Sequence, residues 1–139
     1  MDNIKSKDIL HLYNQKYRYF NKEMNQRLRK YDLYASQWAI LYCLDQSGPL
    51  TQTDIWKYLN IEAPTVTRTL SRLEKNGWVE RLPGEDKREK MIYLTEEAKK
   101  ELPNVKITMK QFDDDMLQQL DQNERKLLYQ LLSKLTSEV

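Results

Sequence analysis

The stretch TQTDIWKYLNIEAPTVTRTLSRLEKNG, residues 51–77, decides the fold. Thr51 with Asp54 three positions later has capping-box spacing: the hydroxyl accepts a helix amide while the carboxylate reaches back to the amide of the cap. The pattern predicts a short helix from there to about Asn60, carrying Ile55, Tyr58 and Leu59 inward, with Ile61 and Glu62 as a tight turn. A second helix is expected over Ala63–Asn76. Pro64 suits its first turn, where no intrahelical donor is needed, and Gly77 suits its end. Val66, Leu70 and Leu73, at i, i+4 and i+7, form the inward stripe. The opposite face carries Pro64, Arg68, Ser71, Arg72 and Lys75, flanked by Thr65 and Thr67, with Glu74 the one negative charge, off to the side. Helix, short turn, helix, with a basic and hydroxyl-bearing second face, has the dimensions of a helix-turn-helix. Such a helix fits the major groove, where arginine pairs bidentately with guanine and threonine or serine reaches bases or phosphates. Three basic residues alone would better describe a solvated face of an ordinary amphipathic helix.

The next residues shift that balance. Residues 78–82 (WVERL) and 90–94 (KMIYL) read as two short strands, and 83–89 (PGEDKRE) as the charged tip of a hairpin between them. Two strands make no stable sheet alone, but beside a helix-turn-helix they make a wing. With Lys87 and Arg88 at its tip, the wing is suited to a narrow minor groove of enhanced negative potential. Asp86 is placed either to hold the Arg88 guanidinium by an ion pair or to make the hairpin turn. Thr95 is then an N-cap, with Glu96 and Glu97 in the first turn of a helix that Pro103 is expected to kink or break.

Working outward to both ends, the pattern is helical. Ser36 reads as the N-cap of a helix over Gln37–Asp45 that Ser47-Gly48-Pro49 stops. Before it, Leu10, Tyr13, Tyr17, Phe20, Met24, Leu28 and Tyr31 recur every three or four residues, predicting a long amphipathic helix from about Lys5 to Tyr31. At the C-terminal end, Asp121 and Glu124 have capping-box spacing ahead of Leu127, Leu128, Leu131, Leu132 and Leu135. Both stripes either pack within one chain or meet a partner subunit. Terminal helices of a small protein have little of their own chain to cover such faces, which favours the partner.

Composition bounds the function. The 139 residues suit one compact unit. Hydrophobic residues make up 40% and charged ones 32%, and mean hydropathy is −0.85, with no run approaching a membrane span. No secretory signal opens the chain, so a cytoplasmic location is expected, and the single Cys43, in an apolar run without nearby cations, reads as a buried structural thiol. Net charge is only +2, which by itself does not announce a nucleic-acid partner. No nucleophile and base constellation and no glycine-rich phosphate loop is present, and one histidine, His11, makes no metal set with a distant cysteine. Neither catalysis nor a cofactor nor a metal is therefore expected.

The run TVTRTLSRLEKNGWVER (residues 65–81), then Asp86-Lys87-Arg88, and Leu94-Thr95 after five intervening residues, resemble the signature of the MarR family of bacterial transcription regulators, and the order of elements matches over nearly the whole chain. The resemblance implies a mainly α fold with a small β-hairpin wing: a winged helix-turn-helix DNA-binding domain over 32–95 and a helical dimerisation region from 1–31 and 96–139. It implies double-stranded DNA as partner, in the form of a pseudo-palindromic operator bound by a homodimeric repressor. It makes Thr65, Thr67, Arg68, Ser71, Arg72 and Lys75 the reading-helix residues, and Asp86, Lys87 and Arg88 the wing residues, with Asp86 holding Arg88. Many members bind a small aromatic or anionic effector between the dimer helices and the DNA-binding lobe; here no effector-binding residue is singled out. Two positions depart from the pattern: Ala98 stands where many members carry glycine, and Pro64 where many carry a hydroxyl residue, which removes one phosphate contact. The competing reading is a winged-helix protein-interaction module that meets an acidic protein through the same helix and hairpin.

Overall fold

The computed structural model describes residues 3–86 and 88–136. In chain order the elements are α1 (Ser6–Leu28) with a 3-10 turn (Arg29–Tyr31), α2 (Ala35–Ser47), β1 (Leu50–Thr51), α3 (Gln52–Leu59), α4 (Ala63–Lys75), β2 (Val79–Pro83), β3 (Lys90–Leu94), α5 (Glu96–Met116) and α6 (Gln122–Ser133). The strands form an antiparallel sheet in the order β1-β3-β2.

Side-chain caps begin α3, α5 and α6. The Thr51 hydroxyl accepts from the Asp54 amide at 3.1 Å while the Asp54 carboxylate accepts from the Thr51 amide at 3.3 Å. Asp121 and Glu124 repeat the exchange at 2.8 and 2.9 Å, and Thr95 accepts from the Ala98 amide at 3.1 Å. Between α3 and α4 the chain turns through Asn60 in the left-handed region (φ 54°), and the Ile61 amide donates back to the Trp56 carbonyl at 3.2 Å. Gly77 does the same after α4 at φ 83°, with the Trp78 amide donating to Leu73 at 2.9 Å, a conformation a Cβ would disfavour.

The core lies where α2, α3, α4 and the sheet converge: Ile40, Leu41, Leu44, Ile55, Val66, Leu70, Leu73, Val79 and Ile92 are almost fully buried. Val66, Leu70 and Leu73 are the stripe expected of α4. Cys43 belongs to the same buried set, 1% exposed, and burial, with the nearby Asp54 charge adding to it, pushes its thiol above the usual range.

Several expectations are corrected. Tyr34, not Ser36, precedes α2, because its amide donates to Gln37 Oε1 at 2.9 Å and the Ala35 amide to Asn25 Oδ1 at 2.7 Å; with those donors satisfied the helix starts earlier. Tyr58 is 63% exposed rather than inward, since Ile55 and Leu59 take the buried side of α3 and Trp56 fills the flank. α5 runs unbroken through Pro103, which lies exposed while Ala98, Leu102, Val105, Met109 and Phe112 continue the buried stripe past it. The two-residue β1, pairing Leu50 with Ile92 and Thr51 with Met91, was not foreseen; it is too short for any alternation.

α1 and α5 pack together. Arg27 bridges them, 2.8 Å from Asp115 and with its guanidinium 5.5 Å from the centre of the Phe112 ring. Lys106 of α5 pairs with Asp45 of α2 at 2.6 Å. Along α1 burial changes with height: Leu28 is fully buried and Phe20 and Met24 are half-buried against the core, whereas Leu10, Tyr13 and Tyr17 are about half exposed. On α6, Leu127, Leu128, Leu131 and Leu132 are all exposed, as is Leu135 just beyond it.

Candidate nucleic-acid interface

Helix α4 stands out from the core on its Val66, Leu70 and Leu73 stripe, which turns Thr67, Arg68, Ser71, Arg72 and Lys75 to solvent and leaves Thr65 half-buried. The hydroxyls are not idle. Thr67 Oγ1 donates to the Ala63 carbonyl at 3.0 Å and accepts from Gln52 Nε2 of α3. Ser71 Oγ donates to the Thr67 carbonyl at 3.0 Å, and Thr65 Oγ1 accepts from Arg68 Nη2 at 3.3 Å. Arg72 and Lys75, by contrast, make no ion pair among the described residues.

The hairpin packs beside α4. β2 and β3 pair from Val79 with Leu94 to Pro83 with Lys90. At the tip the Gly84 amide donates to the Glu89 carbonyl and the Glu89 amide to the Asp86 carbonyl, both at 3.0 Å. Of the two roles weighed for Asp86, the geometry selects the turn: its carboxylate accepts from the backbone amide of Arg88 at 3.0 Å, not from the guanidinium. A carboxylate satisfied by a backbone amide shapes the tip, and the Arg88 side chain is exposed. Lys87 lies outside the described residues.

Arg88 of the wing lines one cleft with Gln52 of α3 and Arg81 of β2, beside the exposed face of α4. Two residues at this surface had been assigned no role. Gln52 joins α3 to Thr67, and Arg81, on β2, reaches Ser71 with Nη2 at 3.2 Å. The sequence offers one hint of Arg81, a cation two residues after an apolar valine on the same side of a strand, but nothing in it names the partners.

A second feature lies behind α4. A cavity of about 750 Å³ opens between α1, α2 and α4, walled by Tyr17, Met24, Tyr34, Trp38 and Ile61. Thr69 and Arg72 of α4 also line it. Arg72 therefore borders both the outward face and this cavity. No group of metal ligands occurs among the described residues, and no helix there is long and apolar enough to cross a membrane.

A helix-turn-helix whose second helix presents an exposed basic face, with a hairpin wing beside it, defines the class: a winged helix-turn-helix DNA-binding protein. A sequence profile of the MarR family matches residues 33–90. An HTH-type transcriptional regulator of Bacillus subtilis (strain 168), YwoH, is 50% identical over 112 residues, 81% of this chain and 82% of that one. The multiple antibiotic resistance protein MarR of Escherichia coli (strain K12) is 34% identical over 88 residues, 63% of this chain and 59% of its own. Among solved structures, a mutant E. coli MarR complexed with operator DNA superposes with a TM-score of 0.85 at 26% identity, covering 90% of this chain and 91% of that one. The chain belongs to the MarR family of transcription regulators, and is not an enzyme.

Proposed function

We propose that this regulator acts as a homodimeric repressor on a pseudo-palindromic operator, each protomer placing α4 in the major groove and its wing on the flanking minor groove. The observation that carries the reading is the exposure of Arg68, Arg72 and Lys75 on α4 and of Arg88 on the hairpin packed beside it, on a fold whose E. coli MarR neighbour is complexed with operator DNA. In this reading Arg68 and Arg72 read bases, Thr65, Thr67, Ser71 and Lys75 complete the α4 surface, Lys87 and Arg88 serve the wing, and Asp86 shapes its turn. Residues 32–95 form the DNA-binding domain, and 1–31 with 96–139 the dimerisation region. The half-exposed Leu10, Tyr13 and Tyr17 of α1 and the leucines of α6 support that division, because a single chain leaves both stripes in water. Two-fold symmetry then sets half-sites about one helical turn, roughly 34–36 Å, apart. Repression follows where such an operator overlaps a promoter.

The cavity beside α4 supports an effector. Aromatic walls with one cation at the edge suit a small aromatic anion, and an occupant that draws Arg72 inward would withdraw it from the groove.

The test is binding of the purified protein to the DNA upstream of its own gene, against random duplex, over a salt series. Selective binding with two protected half-sites, weakening with salt by about 0.9 log units per log unit for each phosphate neutralised, is the expected result. Salt-insensitive or absent binding to both duplexes, from protein freed of any co-purified small molecule, would overturn the reading in favour of a protein-interaction module.

A further inference from the structure

Among the described residues, Arg81 joins the wing to α4 through its charged side chain. It pairs with Ile92 across the β2–β3 ladder, and its side chain is 22% exposed. Nη2 donates to Ser71 Oγ at 3.2 Å, and Nε faces Glu74 Oε1 at 3.8 Å, an ion pair too long for a hydrogen bond. Nε is itself buried without a hydrogen-bond partner. Ser71 gives its only proton to the Thr67 carbonyl of its own helix, so the bond from Arg81 lands on a lone pair. The hydroxyl is thereby a rivet between helix and wing rather than a free donor to a base.

We propose that Arg81 is a positioning residue: its guanidinium fork sets the angle between the wing and the reading helix, acting through Ser71 and Glu74 instead of touching DNA. The inference rests on the DNA-reading surface proposed above. A planar guanidinium can engage two partners at once in fixed geometry, which a lysine ammonium cannot. A wing held at one angle keeps Arg88 at a set distance from Arg68 and Arg72, so the ordering of the three is settled before DNA arrives. Movement of the wing toward α4 by about 1 Å brings Nε and Glu74 into hydrogen-bond range and satisfies the buried donor.

The experiment compares full-length Arg81→Met, Arg81→Lys and Ser71→Ala with the parent. The first measurement uses no DNA: amide hydrogen exchange of β2 and β3, with α2 and α5 amides reporting that the fold is intact. All three variants are expected to exchange at least about tenfold faster at the wing alone. The second is a double-mutant cycle on duplex. Arg88→Ala, expected to cost the parent about tenfold in affinity, is expected to cost the Arg81→Met protein less than about threefold, because its wing is no longer held in place. Unchanged wing exchange overturns the proposal whatever the DNA result. So does an additive cycle, or an Arg81→Lys protein that matches the parent, which would make Arg81 a direct phosphate contact. Should Arg81→Met loosen the whole chain, Ser71→Ala, a change at an exposed position, decides alone. If the parent shows no duplex selectivity, the regulator reading fails on that measurement while exchange still decides whether Arg81 holds the wing.

Discussion

The Tyr31 hydroxyl lies 2.7 Å from the Thr108 hydroxyl and donates to the Asn104 carbonyl at 3.0 Å, so that the turn ending the first helix is stitched to the middle of α5, 73 and 77 residues away in sequence. Tyr31→Phe keeps the ring and removes both bonds. It is expected to destabilise the protein by about 1 kcal/mol, read as a lower urea midpoint with unchanged slope. An unchanged midpoint would mean that water replaces the hydroxyl without loss.

Arg72 borders both the outward face of α4 and the cavity behind it. Arg72→Ala is expected to narrow the gap between operator and random duplex by about 1–3 kcal/mol, as loss of a bidentate guanine contact would. Titration of both duplexes checks it. Equal weakening on the two would reduce Arg72 to a phosphate contact.

Arg88 is exposed at a tip whose shape comes from the Asp86 carboxylate on its backbone amide. Arg88→Ala is expected to weaken binding most where the operator flanks are A·T-rich and the minor groove narrow. Comparing operators with A·T and G·C flanks reads this directly, and flank-independent loss counts against minor-groove insertion.

Leu131 on α6 is 53% exposed in the single chain. Leu131→Asp should therefore leave an isolated protomer folded, yet place a charge in an interface that buries this face. Dissociation at concentrations where the parent sediments as a dimer is expected, together with loss of tight operator binding. A variant that dimerises as well as the parent would remove α6 from the interface.

Cys43 is 1% exposed, and its thiol is raised first by burial and then by the charge of Asp54. Thiolate is accordingly scarce at neutral pH, and a thiol reagent should label native protein far more slowly than protein in urea. The folded state holds this proton more tightly than the unfolded chain, so the thiol's contribution to stability is present at neutral pH and is lost as pH rises past the ordinary thiol range. Rapid stoichiometric labelling of the native protein would contradict this burial.

Much of this was written locally. The cap pairs Thr51 with Asp54 and Asp121 with Glu124, the α4 stripe Val66, Leu70 and Leu73, and the Gly77 stop are set by hydrogen-bond chemistry and periodicity within a few residues, and they stand where the sequence places them. The same holds for the outward basic face of α4, which is the complement of its apolar stripe. Tertiary structure decided what depends on distant partners. α2 begins early because Asn25 of α1 and the reach of Gln37 satisfy its first amides. Tyr58 faces water because Trp56 fills the flank, β1 exists only because β3 lies beside it, and α5 carries Pro103 on its exposed side while its buried stripe continues past it. Asp86 could be read as an ion-pair partner or a turn former until the hairpin geometry brought a backbone amide to its carboxylate. Arg81 carried no role in the sequence for the same reason: its partners Ser71 and Glu74 are 10 and 7 residues back along the chain, and only the packing of the wing against α4 brings a guanidinium to a hydroxyl and a carboxylate.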